Sequence, residues 1–374
     1  MILKLIAGRL HDLNERLEEL AAENIILRDG SRVKEYQERI AHLEFQLDLL
    51  KRHFSSDGVE SFSSQLQERT ASLLIFNQKG RILRLAIKKQ AINAGSSLGL
   101  LKGDFAINGE PPGMQTVSDT DEVLLLFSSG RVTNFRVDQI PASLPGNDLD
   151  IGQAAIPDSP HAGEALVSLI PLSRLPVSNY FLQVSRRGSV KKTMSTIFEK
   201  VLSTHYLGRG AVQKNDQAFL VMLAEKKARL ALATNEGHIL YLDADDLSFS
   251  AEERIRMELT DQIVAAFVPE EKDWVICVTQ NGKIIHRESS NFENARSPAS
   301  RGQALIPPSR LEQGTRFIGA LPCKAPDWLV TLDEQGNLKT WSVKEACGTG
   351  SLRVENQFIS IGLIPSLILS GEKV

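Results

Sequence analysis

The chain has 374 residues, 42% of them hydrophobic and 24% charged, and its formal net charge at pH 7 is −3. This composition is typical of soluble globular proteins, and the length is too great for one ordinary core. No apolar run reaches the roughly 20 residues of a membrane helix, and the charged start lacks a signal-peptide cleavage site. The three cysteines (Cys277, Cys323 and Cys347) have no metal-ligand spacing, so we expect reduced thiols in a cytoplasmic protein.

The first 54 residues carry a helical repeat. Apolar residues recur at alternating steps of three and four from Leu3 to Leu27, with Asn24 at one a position, and a second series in another phase runs from Val33 to Phe54. The phase changes at Gly30, which can end one helix. This pattern predicts an antiparallel helical hairpin at 1–54, with a parallel coiled-coil dimer as the alternative. Either leaves apolar surface for a second copy or a partner helix. The polar stretch 55–70 is predicted to be a linker.

From residue 71 one pattern recurs six times: an apolar strand, a polar step, a glycine and a second apolar strand, as in LLIFNQKGRI and ICVTQNGKI. The glycines are Gly80, Gly130, Gly188, Gly237, Gly282 and Gly336, separated by 50, 58, 49, 45 and 54 residues. The residues six and four places before each glycine and two places after it are all apolar. We therefore predict hairpins with buried period-2 positions, and two-residue turns with positive φ at glycine. Six such units predict a mainly β fold, a six-bladed propeller-like array at 71–374.

Sequence motifs for catalysis are missing. The chain has no HExxH, no P-loop, no GxGxxG before a helix and no GxSxG, and its seven histidines are scattered. Paired acids such as Asp245 and Asp246 are better explained as a solvated face than as acid–base catalysts. We expect no catalytic residue, no metal site and no cofactor.

Charge is distributed unevenly along the repeats. Six basic residues and no acid lie between Lys79 and Lys102, and seven basic residues with one acid lie between Arg186 and Lys214. The stretch from Lys283 to Arg316 has six bases and three acids, whereas the fourth unit has ten acids and four bases between Arg229 and Lys272. The chain as a whole is therefore nearly balanced, while particular units are strongly basic or strongly acidic.

The segment SRRGSVKKT at 185–193 has four cations around one turn. Taken alone it fits a solvated hairpin tip. Basic residues recur at equivalent turns, however, and a propeller rim of spaced cations suits a bent phosphate backbone, which is bound without reading sequence. If Val190 points inward, Lys191 should face outward and Lys192 should reach solvent only at the outer end of its strand. The predicted phosphate contacts are Lys79, Arg81, Arg84, Lys88, Lys89, Arg131, Arg186, Arg187, Lys191, Lys192, Arg209, Lys283, Arg287 and Arg301.

The repeats resemble the six-bladed β-pinwheel at the C-terminus of the A subunits of DNA gyrase and topoisomerase IV. The matching stretches include DEVLLLFSSGRVTNFRVDQIPA, FLQVSRRGSVKKTMSTIFEK, TNEGHILYL and TQNGKIIHR. The stretches LIAGRLHDLNERLEEL, ILRDGSR and RIAHLEFQLDLLKRHF are similar to the last arm of the family's C-gate coiled coil. The resemblance implies two partners, double-stranded DNA and a topoisomerase catalytic subunit. It also implies homodimerisation or helix pairing through 1–54, and a nucleoid-associated place in a bacterial cytoplasm.

Two departures from the family limit the function that we expect. The family's catalytic tyrosine precedes these helices, and none of the four tyrosines (Tyr36, Tyr180, Tyr206 and Tyr241) has that context, so we expect no DNA cleavage by this chain alone. The glycine-rich basic box of gyrase reads NAGSSLGLLKG at 93–103, without arginines. This change favours DNA bending without full wrapping, as in topoisomerase IV or an accessory protein.

Two further interpretations stay open at this point. A propeller can bind another protein instead of DNA, because fold alone does not choose between these uses. The chain could also complement a catalytic subunit that lacks its own pinwheel.

Overall fold

The computed structural model describes residues 71–87, 92, 95–105, 110–146, 148–151, 159–208, 216–295 and 300–366. All of them belong to the compact unit Glu68–Val374. The helical hairpin at 1–54 and the linker at 55–70 fall outside the described residues, so the proposed domain boundaries stay predictions. Within the described ranges, no helix combines the length and the apolarity needed to cross a membrane.

Each of the six repeats forms an antiparallel hairpin, as predicted. The pairs are β1 (Ala71–Phe76) with β2 (Ile82–Ile87), β5 (Glu122–Phe127) with β6 (Val132–Arg136), β10 (Tyr180–Ser185) with β11 (Ser189–Met194), β13 (Arg229–Thr234) with β14 (His238–Asp243), β17 (Trp274–Thr279) with β18 (Ile284–Glu288), and β21 (Trp328–Asp333) with β22 (Asn337–Ser342). All eighteen apolar positions chosen from the repeat are buried. Their burial confirms the period-2 pattern of each hairpin.

A third strand completes the inner part of each blade by pairing with the first strand of its own hairpin. These strands are β4 (Gly113–Ser118), β9 (Leu166–Pro171), β12 (Ala218–Ala224), β16 (Ile263–Phe267), β20 (Phe317–Cys323) and β23 (Phe358–Ile364). Each third strand contacts those of the two neighbouring blades, and β23 contacts β4. The third strands therefore form a closed innermost ring, and the six sheets form a six-bladed propeller.

The outer edge of each blade is formed by the following unit. We call the residues between the second and third strands of a unit its exchanged segment. The exchanged strands are β3 (Ser97–Lys102), β7 (Ala142–Ser143), β8 (Asp148–Asp150), β15 (Glu252–Glu253) and β19 (Gln303–Ala304). Strand β7 pairs with β2, β15 with β11, and β19 with β14. Single bridges, Arg131 to Tyr206 and Lys283 to Ser351, make the same connection at the second and fifth blades.

The first exchanged segment closes the ring. Strand β3 pairs with β22 of the sixth blade, and β8 runs parallel to β3 on its other side. Strand β3 lies within the stretch NAGSSLGLLKG at 93–103. Its Leu98 and Leu101 are buried in a cluster that also contains Leu338 of β22. This part of the chain therefore joins the first unit to the last one.

Within the part of the chain that the structure describes, the helices are short and lie in the connections between strands. They are α1 (Phe198–Thr204), α2 (Pro308–Glu312) and α3 (Val343–Thr349), together with 3₁₀ turns at Val137–Gln139, Leu172–Val177, Ser195–Ile197 and Ser289–Asn291. Helix α3 belongs to the sixth exchanged segment and contacts β18 of the fifth blade. It therefore brings residues of unit six to the outside of unit five.

The hairpin turns differ in one respect from the prediction. All six glycines have positive φ, between 72° and 91°, as expected. In the first hairpin, however, Asn77 N–H bonds to Arg81 O (3.1 Å) and Gly80 N–H bonds to Asn77 O (3.0 Å). The loop therefore has three residues, with glycine third, and the prediction of two-residue turns was wrong. A three-residue loop of this kind needs its left-handed residue in the last position.

Candidate nucleic-acid interface

The predicted cations at the first turn are exposed. Lys79 and Arg81 flank Gly80, and the Lys79 ammonium lies 3.5 Å from the carboxylate of Asp104. Both partners of this ion pair are well exposed, so water and salt screen it. A phosphate can therefore compete with Asp104 for Lys79.

Arg84, five residues after Lys79, has a structural position. Its guanidinium donates to Ser72 Oγ (2.9 Å) and Ile140 O (2.9 Å) and lies 3.0 Å from Asp119 Oδ1. The residue is only 9% exposed. Its burial argues against the predicted phosphate contact, because a phosphate would have to displace three partners that are already in place.

Arg131, at the second turn, is held by Glu164. The guanidinium lies 2.8 Å from Glu164 Oε2, donates to Ser159 O at 3.1 Å, and lies 3.9 Å from the centre of the Phe127 ring. The hydrogen bond from Arg131 lowers the pKa of Glu164 to about 2. Because these contacts use much of the guanidinium, Arg131 is better placed to anchor its turn than to bind DNA.

In the segment SRRGSVKKT, Arg186 is turned toward the centre of the propeller. It forms an ion pair with Glu110, donates to Ile263 O at 2.9 Å, and lies 4.2 Å from the centre of the Phe219 ring. Arg186 and Glu110 help to line a central cavity of about 1160 Å³, and residues of all six innermost strands line it as well. This position is unlike the outer rim that the sequence pattern predicted.

Arg187 holds the exchanged segment of the fourth unit, residues 244–262. Its Nη1 donates to the carbonyl oxygens of Glu258 (3.2 Å), Leu259 (3.3 Å) and Asp261 (2.5 Å). These three carbonyls belong to a single loop. The guanidinium therefore fixes the fold of that loop and is only half-exposed.

Lys192 lies beneath the same exchanged segment. Its Nζ donates to Ala244 O (3.3 Å) and Asp245 O (2.6 Å) and lies about 5 Å from the ring centres of Tyr180 and Phe249. With 6% exposure, Lys192 does not reach solvent even at the outer end of its strand, contrary to the prediction.

The neighbouring positions of the same strand follow the prediction in part. Val190 is fully buried, as predicted. Lys191 is half-buried instead of fully outward, and burial lowers the pKa of its ammonium. Neither a solvated tip nor a row of free cations therefore describes this hairpin.

The fifth blade has the clearest group of exposed cations among the described residues. Lys283 and Arg287 were predicted from the sequence and are exposed. Lys344, in α3, and Arg353 are also exposed, and the sixth exchanged segment brings both to this blade. The bridge from Lys283 to Ser351 and the bond from Leu352 N–H to Gly282 O (2.8 Å) hold that segment against the fifth turn.

Four predicted phosphate contacts remain, and they add little to the description of the cationic surface. Arg301 is exposed and pairs with Glu258, so part of its charge is neutralised. Lys88, Lys89 and Arg209 fall outside the described residues.

The described residues also bear on the chemistry of the domain. Across them, no group of three or more metal-ligating side chains comes together. All three cysteines are free and buried, and burial raises the pKa of Cys277 to about 12 and that of Cys347 to about 11. These thiols are therefore poor nucleophiles.

Comparison with known proteins gives related sequences but no matching family model. The chain is 22% identical to the A subunit of DNA topoisomerase 4 of Bacillus subtilis over 347 residues, which is 89% of this chain and 41% of that protein. It is 23% identical to the A subunit of DNA gyrase of Escherichia coli over 249 residues, 61% of this chain and 26% of that protein. The chain thus spans less than half the length of these curated relatives.

Two solved structures share the fold. The C-terminal domain of DNA topoisomerase IV matches with a TM-score of 0.50 and 18% identity, covering 82% of this chain and 97% of that one. The C-terminal domain of DNA gyrase A matches with a TM-score of 0.56 and 12% identity, covering 79% of this chain and 99% of that one. The chain is therefore homologous to the A subunits of DNA topoisomerase IV and DNA gyrase, and its described domain has the β-pinwheel fold of their C-terminal domains.

Proposed function

We propose that the propeller binds double-stranded DNA through the phosphate backbone and bends it, as a non-catalytic part of a topoisomerase system. The observation that carries this proposal is the exposed cationic surface of the fifth blade, Lys283, Arg287, Lys344 and Arg353, on a fold shared with topoisomerase C-terminal domains. Two of these cations come from each of two units, and α3 and the bridge at Ser351 bring those of the sixth unit to the fifth blade. The exposed acids Glu288 and Glu345 lie in the same elements and offset part of this charge. Phosphate contacts bind every duplex sequence similarly.

The test is the salt dependence of DNA binding, measured by fluorescence anisotropy with a duplex of mixed sequence. Affinity falls as salt rises, and each lost phosphate contact makes the slope of log affinity against log salt shallower by about 0.9. We expect Lys283→Ala with Arg353→Ala to make the slope shallower by roughly one to two units. The matched control is Lys226→Ala with Lys272→Ala, two exposed lysines in the loops that lead from a third strand to the next blade. Equal slopes for both double variants and the wild type would overturn the proposed surface.

DNA cleavage by this chain alone is not part of the proposed function. Of the three described tyrosines, Tyr206 is exposed, whereas Tyr180 and Tyr241 are buried, and burial raises the pKa of Tyr241 to about 12. The hydrogen bond to Asp245 raises the pKa of Tyr180. A buried phenol that holds its proton is a weak nucleophile. We expect supercoiled plasmid to stay covalently intact with this chain, magnesium and ATP, and a nicked product that depends on the chain would contradict this.

A protein-binding propeller is the second candidate, and exposed apolar side chains on the second blade favour it. Ile197, directly before α1 in the chain, is 36% exposed, and Tyr206, shortly after α1, is 48% exposed. A topoisomerase catalytic subunit is the partner that we propose for such a surface, and homodimerisation through 1–54 stays a proposal as well. Two results together would favour this candidate. The variant Lys283→Ala with Arg353→Ala would keep its DNA affinity, and the chain would bind a topoisomerase catalytic subunit, with Tyr206→Ala weakening that binding.

A further inference from the structure

The most basic hairpin of the chain lies beneath one of its most acidic segments. The fourth exchanged segment, residues 244–262, has six acidic and two basic residues. Its strand β15 pairs with Ser189 and Val190 of the third hairpin. Its Ile255 is fully buried against that hairpin, so the segment is a fixed part of the blade.

The contacts between the third hairpin and the fourth exchanged segment leave negative charge on the solvent-facing side of the segment. Arg187 and Lys192 bind backbone carbonyls of the segment, which are neutral, so their charges do not pair with its carboxylates. The side chains of Asp246 and Glu253 are exposed. Two other acids are partly neutralised, because Glu252 lies 3.4 Å from Arg254 and Glu258 pairs with Arg301.

We infer that the fourth exchanged segment excludes DNA from the third blade, so that bound DNA follows only part of the propeller's circumference. This inference rests on the proposed DNA binding. Charges interact over about 8 Å at physiological ionic strength, so exposed carboxylates repel a phosphate backbone that passes directly over them. The cations beneath cannot compensate, since Arg187 and Lys192 are held by the segment itself. The acidic segment therefore sets where the DNA path ends and how far the duplex is bent.

The test reverses charge on the segment, with Asp246→Lys and Glu253→Lys in the full chain. We expect one or two new phosphate contacts, which make the slope of log affinity against log salt steeper by roughly one to two units and tighten binding roughly tenfold near physiological salt. Hydroxyl-radical footprinting should show a longer protected stretch, and energy transfer between dyes at the duplex ends should show a larger bend. Circular dichroism and thermal unfolding verify that the variant is folded.

The matched control reverses two acids elsewhere, Glu225→Lys and Glu271→Lys, which are exposed in loops that lead from a third strand to the next blade. This control should leave the footprint and the bend unchanged. The inference is overturned if the segment variant keeps the wild-type footprint and bend, or if the control lengthens them equally. Either result leaves the proposed function standing when the wild type binds DNA. A wild type that binds no duplex at low salt would instead overturn the proposed function.

Discussion

At the scale of single residues, basic side chains that look alike in the sequence have two different roles. Arg84 and Lys192 are buried and hydrogen-bonded, whereas Lys283 and Arg353 are exposed. A buried cation is retained only where acceptors surround it, because removing a charge from water is costly. The first two therefore stabilise the blades, and the last two are available to a ligand.

Replacing Lys192 with alanine should lower stability without changing DNA binding. The variant leaves the carbonyls of Ala244 and Asp245 without their donor, at a cost of about 1 to 3 kcal/mol in the free energy of unfolding. Urea unfolding measures the loss, and Lys283→Ala, at an exposed site, should change stability by less than about 0.5 kcal/mol. Lys192 would be a phosphate contact after all if its alanine variant kept full stability and lost salt-dependent DNA affinity.

The ion pair of Arg131 and Glu164 should make stability depend on pH in the acid range. The folded protein lowers the pKa of Glu164 to about 2, below the value of about 4.3 for an unfolded glutamate. A lowered pKa stabilises the fold above the unfolded value, and this contribution is lost as the pH falls from about 4.3 toward 2. The difference in unfolding free energy between wild type and Glu164→Gln should be constant above pH 5 and shrink below pH 4. A difference that stays constant down to pH 2 would contradict the assignment.

At the scale of elements, the hairpin and the exchanged segment depend on each other. Gly188 has a φ of 77°, and a Cβ built on it would lie 2.1 Å from Ile255 Cγ2. The glycine therefore permits both the turn conformation and the close approach of the next unit. Only the first requirement could be read from the hairpin pattern.

We expect Gly188→Ala to cost more than a positive φ alone can explain. The left-handed conformation costs an alanine about 1 to 2 kcal/mol, and crowding against Ile255 adds about 1 to 3 kcal/mol. The matched control is Gly163→Ala, since Gly163 has a φ of 83° and no heavy atom within 4 Å of its built Cβ. Chemical unfolding of both variants isolates the packing cost. Equal losses would show that the exchanged segment moves aside freely.

At the scale of the whole molecule, the ring is closed by β3. Strand β3 pairs with β22, and the residues directly before β3 are hydrogen-bonded to the same strand. Gly95 N–H donates to Thr340 O (2.8 Å), and Thr340 N–H donates to Ser96 O (3.0 Å). The sixth blade therefore needs residues near the start of the domain for its outer edge. Closure of this kind couples the stability of the first and last blades.

Leu98→Ala should weaken that closure. Leu98 is fully buried between the first and sixth blades, and its truncation should cost about 2 to 5 kcal/mol in the free energy of unfolding. Amide hydrogen exchange should accelerate in β22 and β3 before it does so in β13, which is on another blade. Leu100→Ala, at a half-exposed position of the same strand, is the control and should cost less. Unchanged exchange in β22 for the Leu98 variant would show that β3 is dispensable for closure.

The local features of this protein could be predicted from the sequence alone. Alternation of apolar residues predicted six hairpins and the burial of Val190 and its equivalents, because side chains on a strand alternate between its faces. The spacing of Gly80 and its five counterparts predicted where the turns lie and how many blades there are, but not the length of the loops, since a left-handed turn residue marks each corner. These features depend on residues that are close together in the chain.

Which cations face solvent could not be predicted from the sequence, because it depends on how distant segments pair in the folded domain. The exchange of segments places residues from 58 to 75 positions later in the chain over the first five hairpins, and it places β3 of the first unit over the sixth. It puts Arg187 and Lys192 beneath an acidic segment and adds Arg353 to the surface of Lys283. Local periodicity contains no information on this pairing, because a strand edge can accept any neighbour with a suitable backbone. The charge of a surface depends on both partners of that pairing.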